Sequence, residues 1–334
     1  MIKVAMISFW HVHARDYARQ ATEHPETEIV AVWDEIPERG QKEATERGVA
    51  FYESLDEMLA NPDIDAVIVD APTNIHHEVM IKAANAGKHI FTEKVIAPTQ
   101  REVNGILAAV EKAGVKLTVS LPRLNDRCTL AVQQILEQGL LGDVTLVRAR
   151  LSHNGATAGW LPAHFFSLEQ CGGGALIDLG CHPMYLTRLF LGSMPESVTA
   201  QFGYITGKEV EDNAVSVLKC ANGAIGIVEA GFVNAYSPFC VEVHGTEGTI
   251  LYGLPEDKLL LRTKKLGEEA SKEWTVQEQP ERNPSAFQQW VSHIQQNTVA
   301  SENIAMAADL TRLMEASNLS VKLGRAVSPS ELAQ

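Results

Sequence analysis

The sequence predicts an α/β protein in two parts: a parallel sheet in the first third of the chain, then a larger, mostly antiparallel sheet. Three observations predict it. The stretch 70–94, DAPTNIHHEVMIKAANAGKHIFTEK, follows an apolar run at 64–69 and reads as turn, helix and second strand. Residues 2–34 read as strand, loop, helix and strand, closed by Asp34. From 198 to 261, strand-like runs succeed one another with turn residues between them.

Residues 2–7 are an apolar run, the first strand. Tyr17, Ala18 and Ala21 place a helix over 14–23, closed by Pro25, and 28–33 form the second strand. Strand, loop, helix, strand and acid is the plan of a dinucleotide-binding half. An acid in the place of Asp34 accepts hydrogen bonds from the adenosine ribose and repels a 2′-phosphate, which points to NAD over NADP. The loop departs from the pattern. A G-x-G-x-x-G fingerprint would fall on Ser8, Phe9, Trp10, His11, Val12 and His13, and none of its glycines is present. Ser8 is then expected to make the tight turn, the helix N-terminus to offer amides to phosphate, and His11 and His13 to donate to phosphate oxygens. His11, His13, His76, His77 and Glu78 also raise a metal reading, because His-x-His can set two ligands on one face. No third and fourth ligand follow at a recognisable spacing, so these residues are expected to line a cleft without a metal.

The segment 35–46 is a charged helix, and Leu55, Met58 and Leu59 mark a short one. In the central unit Ala71, Pro72, Thr73 and Asn74 form a turn, with Thr73 or Asn74 as N-cap. Ile75, Val79, Ala83 and Ala86 recur at helical spacing over 75–86, and Gly87 stops the helix. A second strand, 89–92, ends at Glu93 and Lys94. Such a unit crosses over right-handed into a parallel sheet, whose ligands bind outside the carboxyl ends of the strands. The turn and Glu93-Lys94 both lie on that edge. Thr99 caps a helix to 113, 115–120 is a strand, and Leu121-Pro122-Arg123 closes the first domain, 1–123.

The second domain is expected over 124–334. A helix at 128–138 leads to a strand at 144–151 and a long polar loop, 152–170. Residues 174–191 read as one apolar helix with Asp178 and His182 on one face. A carboxylate and an imidazole inside so apolar a helix are costly if unpaired. They are read as an oriented general base facing a cleft, the alternative being a buried pair that holds the helix. The triple glycine 172–174 favours the first reading, since it lets backbone approach something bulky. Strands at 214–220, 225–232 and 239–244 are separated by Asn222-Gly223, Ser237-Pro238 and Thr246-Glu247-Gly248, which implies a mostly antiparallel sheet. Helices near 284–297 and 302–323 end the chain. Helices on one face of a large sheet leave the other to bury, so a homodimer or homotetramer through this sheet is expected.

Composition narrows the function. The chain has 334 residues, 45% apolar, and a formal net charge of −14. That charge argues against nucleic acid and anionic membranes as partners. No apolar run approaches the roughly 20 residues that span a bilayer, and the N-terminus lacks signal-peptide architecture. Five scattered cysteines, Cys128, Cys171, Cys181, Cys220 and Cys240, suit reduced thiols in a cytoplasm.

These residues carry a resemblance. AGKHIFTEK, ending in Glu93-Lys94, resembles the AGKHV-x-x-EKP segment of the Gfo/Idh/MocA family, the glucose–fructose oxidoreductase and inositol dehydrogenase group. GGGALIDLGCH, with Asp178 and His182, is similar to its GGG-x-x-x-D-x-G-x-H segment, and Gly245-Thr-Glu-Gly-Thr to its late G-T-E-G-T turn. Val95 stands where the family has proline. The resemblance implies a Rossmann domain, a C-terminal α/β domain with a large open sheet, and NAD(P)-dependent oxidation of a sugar or polyol hydroxyl. It implies Lys94, Asp178 and His182 as the catalytic set: His182 takes the hydroxyl proton, Lys94 stabilises the alkoxide, and Asp178 binds substrate and holds His182. Glu93 would orient Lys94 or the nicotinamide ribose. Thr73, Asn74 and His76 would line the cofactor, and Arg123 and Trp160 meet nicotinamide or sugar. His153 and Trp160, in a loop with Ser152, Asn154 and His164, suit hydroxyls and a pyranose face. Two other readings stand beside this one. One is a hydrolase or lyase that retains NAD and works through a transient keto-sugar. The other is a non-catalytic sugar or nucleotide sensor on the same fold.

Overall fold

The computed structural model of the chain describes residues 1–254 and 256–332. It divides into two compact units. The first comprises Met1–Leu121 and Pro284–Thr311; the second comprises Pro122–Asn283 and the residues from Arg312. The division is therefore discontinuous, where the sequence suggests two continuous pieces. An aromatic contact explains why 284–311 groups with the first unit. Phe287 and Trp290 stand 5.5 and 5.7 Å from the Phe91 ring, centroid to centroid, in one core with Val4, Met6 and Ile68.

In the first unit β1 (Ile2–Ile7), α1 (Ala14–Glu23), β2 (Thr27–Trp33), α2 (Pro37–Arg47), β3 (Ala50–Phe51), α3 (Leu55–Ala60), β4 (Ala66–Val69), α4 (His76–Asn85), β5 (His89–Thr92), α5 (Gln100–Ala113) and β6 (Leu117–Val119) follow in order. The strands form a parallel sheet in the order β3-β2-β1-β4-β5-β6. The winding reverses between β1 and β4, the switch point where such sheets bind ligands. Register decides which residues meet there. Ile7 pairs with Trp33 and with Val69, Val69 with Thr92, and Thr92 with Val119. The next residues, Ser8, Asp34, Asp70, Glu93 and Ser120, therefore leave the sheet along one edge.

Local chemistry sets the helix ends. Thr99 starts α5 with a reciprocal capping box to Glu102. The expected side-chain cap on α4 is absent. Thr73–Ile75 make a single 3₁₀ turn in which the Ile75 amide bonds the Pro72 carbonyl, and α4 begins at His76. The backbone itself satisfies the entry, so neither Thr73 nor Asn74 caps it.

The second unit contains α6 (Arg127–Glu137), β7 (Val144–Ser152), α7 (Leu168–Cys171), α8 (Ala175–Asp178), α9 (Cys181–Leu191), β8 (Ser197–Gly203), β9 (Asn213–Lys219), β10 (Ile225–Gly231), β11 (Cys240–Gly245), β12 (Gly248–Tyr252), β13 (Leu259–Thr263), α10 (Glu268–Lys272) and β14 (Thr275–Val276). Its eight strands run β14-β13-β12-β11-β7-β10-β9-β8. Only β7 and β10 pair in parallel among them. The Asn222-Gly223 turn joins β9 to β10, with Gly223 at φ 87°. The chain closes with α11 (Ala286–Gln296) in the first unit and α12 (Ser301–Leu323), which is divided between the two at Thr311.

The expected single helix over 174–191 is two pieces, preceded by the short α7. α7 ends at Cys171 with Gly172 as its cap, α8 is one turn, and α9 starts after Gly180. A Cβ on Gly180 would lie 2.5 Å from the Leu176 carbonyl oxygen, a contact that only glycine permits. Asp178 and His182 thus flank a break rather than sharing a helix face.

Candidate functional site

The first unit carries the edge assembled by register. Ser8 turns the chain off β1 with φ 71°, in the left-handed region that the first glycine of a dinucleotide loop occupies. Its hydroxyl accepts from the Trp10 amide and from Arg39. Asp34, fully buried, is held on both oxygens. Oδ2 accepts from the Phe9 amide at 2.9 Å and Arg39 Nε at 2.8 Å; Oδ1 accepts from the Ile36 amide at 2.8 Å and Arg39 Nη2 at 2.7 Å. The carboxylate expected to meet the adenosine ribose therefore anchors the loop, with Arg39 laid over it. The glycine-type turn at the end of β1, the acid at the end of β2 and the switch point between them fit a dinucleotide. The loop amides do not follow the glycine fingerprint: those of Phe9, Trp10, His11 and His13 bond Asp34, Ser8 Oγ, the Asp70 carbonyl and His11 Nδ1. Val12, named with this loop, is exposed.

Glu93 gathers the middle of the edge. Its Oε2 lies 3.2 Å from His13 Nδ1 and 3.9 Å from His11 Nδ1, and accepts from the Tyr17 hydroxyl, which also bonds Ser120 Oγ at 2.6 Å. Lys94 Nζ stands 3.7 Å from Glu93 Oε1, and both side chains are buried. Burial pushes the Glu93 carboxyl up, but the charges of His11, His13 and Lys94 and the His13 hydrogen bond outweigh it and hold it well below the usual range. Burial, then the charge of Glu93, drives Asp70 the other way, well above. Tyr17 had no functional signal in the sequence, where it reads as one core position of a helix.

His76 is fully buried beneath the turn. Its Nε2 faces the Ala71 carbonyl at 2.9 Å, and Nδ1 faces the carbonyls of Val95 and Ile96 at 3.0 and 3.3 Å. It stitches the Ala71–Asn74 turn to the segment after Lys94, so its side chain is committed to backbone rather than to a cleft. The Lys94–Val95 peptide is cis.

The second unit carries Asp178, His182, His153, Trp160 and Arg123. His182 is buried, and its Nδ1 lies 3.0 Å from the Tyr185 hydroxyl. Tyr185, which the sequence presents as apolar helix surface, also accepts the Arg123 amide hydrogen at 3.0 Å. The Arg123 guanidinium lies 3.9 Å from the Phe239 ring centre and 3.5 Å from Asp126, so the side chain expected to meet substrate is engaged within its own unit. His153 stacks on Phe232 at 5.2 Å, with Trp160 against it at 4.5 Å; Trp160 is largely exposed and its Nε1 donates to Asn154. Burial lowers the His153 imidazole, and the Asp178 charge opposes that.

The triple glycine has a different purpose from the one the sequence suggests. A Cβ on Gly174 would sit 2.1 Å from the Glu211 carbonyl oxygen. The bulky neighbour is the chain's own 210–211 segment, whose Glu211 carboxylate accepts the amides of Gly174 and Leu176 at 2.8 and 2.9 Å. Nothing in the local sequence singles out Glu211.

Among the described residues no helix is long and apolar enough to cross a membrane. Residues 2–121 match the model of an oxidoreductase family with an NAD-binding Rossmann fold, and residues 129–251 match the GFO/IDH/MocA C-terminal domain. The chain is 31% identical over 245 residues to a 1,5-anhydro-D-fructose reductase of Ensifer adhaerens, covering 71% of this chain and 72% of that protein. It is 30% identical over 250 residues to the scyllo-inositol 2-dehydrogenase (NAD(+)) of Bacillus subtilis, covering 73% and 70%. A levoglucosan dehydrogenase solved with NADH and levoglucosan has the same fold, with a TM-score of 0.83 at 20% identity over 98% of this chain and 99% of that one. With both of its domains matched in order, the chain belongs to the GFO/IDH/MocA family of oxidoreductases, with an N-terminal NAD-binding Rossmann domain.

Proposed function

We propose that this protein is an NAD(H)-dependent dehydrogenase that oxidises a secondary hydroxyl of a sugar, inositol or related polyol. The observation that supports it is that each motif holds its reactive group ready: Lys94 is buried and carboxylate-flanked in the first, and His182 is buried and hydroxyl-anchored in the second. The named activities of the relatives, an anhydrofructose reductase and an inositol dehydrogenase, support the substrate class. Bound NAD supplies the hydride acceptor. His182 takes the hydroxyl proton, and Tyr185 keeps its ring oriented. Lys94 stabilises the developing alkoxide, with Glu93 fixing the ammonium. Asp178 hydrogen-bonds the substrate, and His153 and Trp160 present an aromatic face to it.

NAD is preferred over NADP in this reading. Asp34 and Glu35 set two carboxylates against the single guanidinium of Arg39, a balance that repels a 2′-phosphate. In this reading the protein assembles as a homodimer or homotetramer through the eight-stranded sheet, and the exposure of Val215, Val217 and Ile225 on its strands supports that. The five free cysteines suit a reducing cytoplasm.

The test is titration of cofactor-stripped protein with NADH and NADPH, read by tryptophan fluorescence, followed by an oxidation screen on sugars and polyols. NADH should bind well ahead of NADPH, and Lys94→Ala should abolish turnover while keeping NADH binding. Undiminished turnover in Lys94→Ala sinks the catalytic assignment.

A further inference from the structure

The sequence sets His11 and His13 two residues apart and leaves them without further ligands in the same stretch. The fold supplies the third from 80 residues away. His11, His13 and Glu93 each present a ligand atom, and the three atoms lie within 4.8 Å of one another. Ligands at 2.0–2.2 Å from a tetrahedral zinc ion are separated by about 3.3 Å. His13 Nδ1 and Glu93 Oε2 already stand at 3.2 Å, and His11 Nδ1 and Glu93 Oε2 at 3.9 Å. Small side-chain adjustments would close the set around one ion.

The surroundings are built as metal sites are. The Tyr17 hydroxyl bonds Glu93 and is itself bonded to Ser120, so the carboxylate is oriented by an outer layer. A second observation points independently to a cation. Asp70 is fully buried beside this cluster, and neither of its carboxylate oxygens has a hydrogen-bond partner among the described residues; Glu93 Oε1 accepts no hydrogen bond either. Lys94 Nζ stands 3.7 Å from Glu93 Oε1, and a cation bound in the cluster would further offset the burial of these carboxyl oxygens. His13 is partly exposed and gives an entry path.

The geometry points to a divalent transition-metal site of the zinc class, held by His11 Nδ1, His13 Nδ1 and Glu93 Oε2. Two imidazoles and one carboxylate select zinc, cobalt or nickel over magnesium and calcium. Three protein ligands leave a coordination position for an exogenous oxygen ligand. On metal binding His11 Nδ1 exchanges its long hydrogen bond from the His13 amide, 3.2 Å, for the ion. The inference is independent of the dehydrogenase reading, because metal binding is read on the protein alone.

The experiment is titration of chelator-treated, full-length protein with cobalt(II), followed by visible absorption, with zinc(II) as competitor. One equivalent should bind, develop the d–d bands of a low-coordinate site, and be displaced by zinc. His13→Ala, at a partly exposed position that the fold should tolerate, should weaken binding at least tenfold, as should Glu93→Gln. Magnesium at millimolar concentration should not compete. Absence of stoichiometric cobalt binding to the wild-type protein overturns the proposal. So does cobalt binding of unchanged strength in a folded His13→Ala variant, which would place the ion elsewhere.

Discussion

The Tyr185 hydroxyl oxygen stands 3.0 Å from His182 Nδ1 and 3.0 Å from the Arg123 amide nitrogen. The amide can only donate, so the hydroxyl oxygen accepts from it; with a neutral imidazole the hydroxyl donates to a bare Nδ1, or accepts from Nδ1–H in the tautomer that leaves Nε2 free to act as a base. When the imidazole is protonated, Nδ1–H donates and the same oxygen accepts. A hydroxyl thus anchors the ring in both protonation states. Burial pushes the Tyr185 phenol well above its ordinary value, so the hydroxyl stays intact through any working pH.

Tyr185→Phe removes that anchor and little volume. A buried hydrogen bond is worth about 1 kcal/mol net, so kcat should fall roughly fivefold, while the dissociation constant for NADH stays the same. Steady-state kinetics with fluorescence titration checks both. An unchanged kcat would mean that packing alone holds His182.

Ser8 yields a comparison of two variants. Its φ of 71° suits glycine, yet its hydroxyl bonds Trp10 and Arg39. Ser8→Ala and Ser8→Gly lose the same hydroxyl and differ only in a Cβ held in the left-handed region. That Cβ costs about 1 kcal/mol. Ser8→Ala should therefore unfold at lower urea concentration than Ser8→Gly. Equal midpoints would show that the turn relaxes.

Much of the parallel sheet was legible because short apolar runs alternate with helical periodicity, and Asp34, Glu93 and Lys94 sit at strand ends that such periodicity locates. Register did the rest, and register is set by pairing that no single segment encodes. For that reason Tyr17 and Ser120 came to Glu93 unannounced. Asp178 and His182 stand out in the sequence by residue type, but the single helix their spacing predicts meets a steric fact at Gly180: the neighbour that excludes a side chain there is a carbonyl of the preceding turn. Glu211 was illegible for a related reason. Its partners are backbone amides, which leave no mark in composition.

Gly174→Ala tests the close approach directly. The new methyl would meet the Glu211 carbonyl oxygen at 2.1 Å, and backbone rather than a flexible side chain would have to move. Overpacking of this kind costs about 1–3 kcal/mol. A fall of that size in urea denaturation is expected, whereas a variant as stable as wild type would show that the 210–211 segment is free to shift.

Glu211 itself makes stability depend on pH. Burial raises its carboxyl, and the amides of Leu176 and Gly174 offset this only in part, so the net shift is upward. A carboxyl that binds its proton more tightly in the native state than in the unfolded one favours folding at low pH. Above the unfolded value, about 4.3, the native state holds more proton than the unfolded state, and stability falls as pH rises until the raised native value is passed. Glu211→Gln cannot titrate, although it gives up one amide hydrogen bond. Its stability relative to wild type should therefore improve as pH climbs through that window, by about 1.4 kcal/mol for each unit of the native shift. Urea denaturation of both proteins at a series of pH values measures the difference and cancels every other group. A gap that stays constant, or widens against the variant as pH rises, would mean that the amide donors stabilise the ionised carboxylate more than burial penalises it.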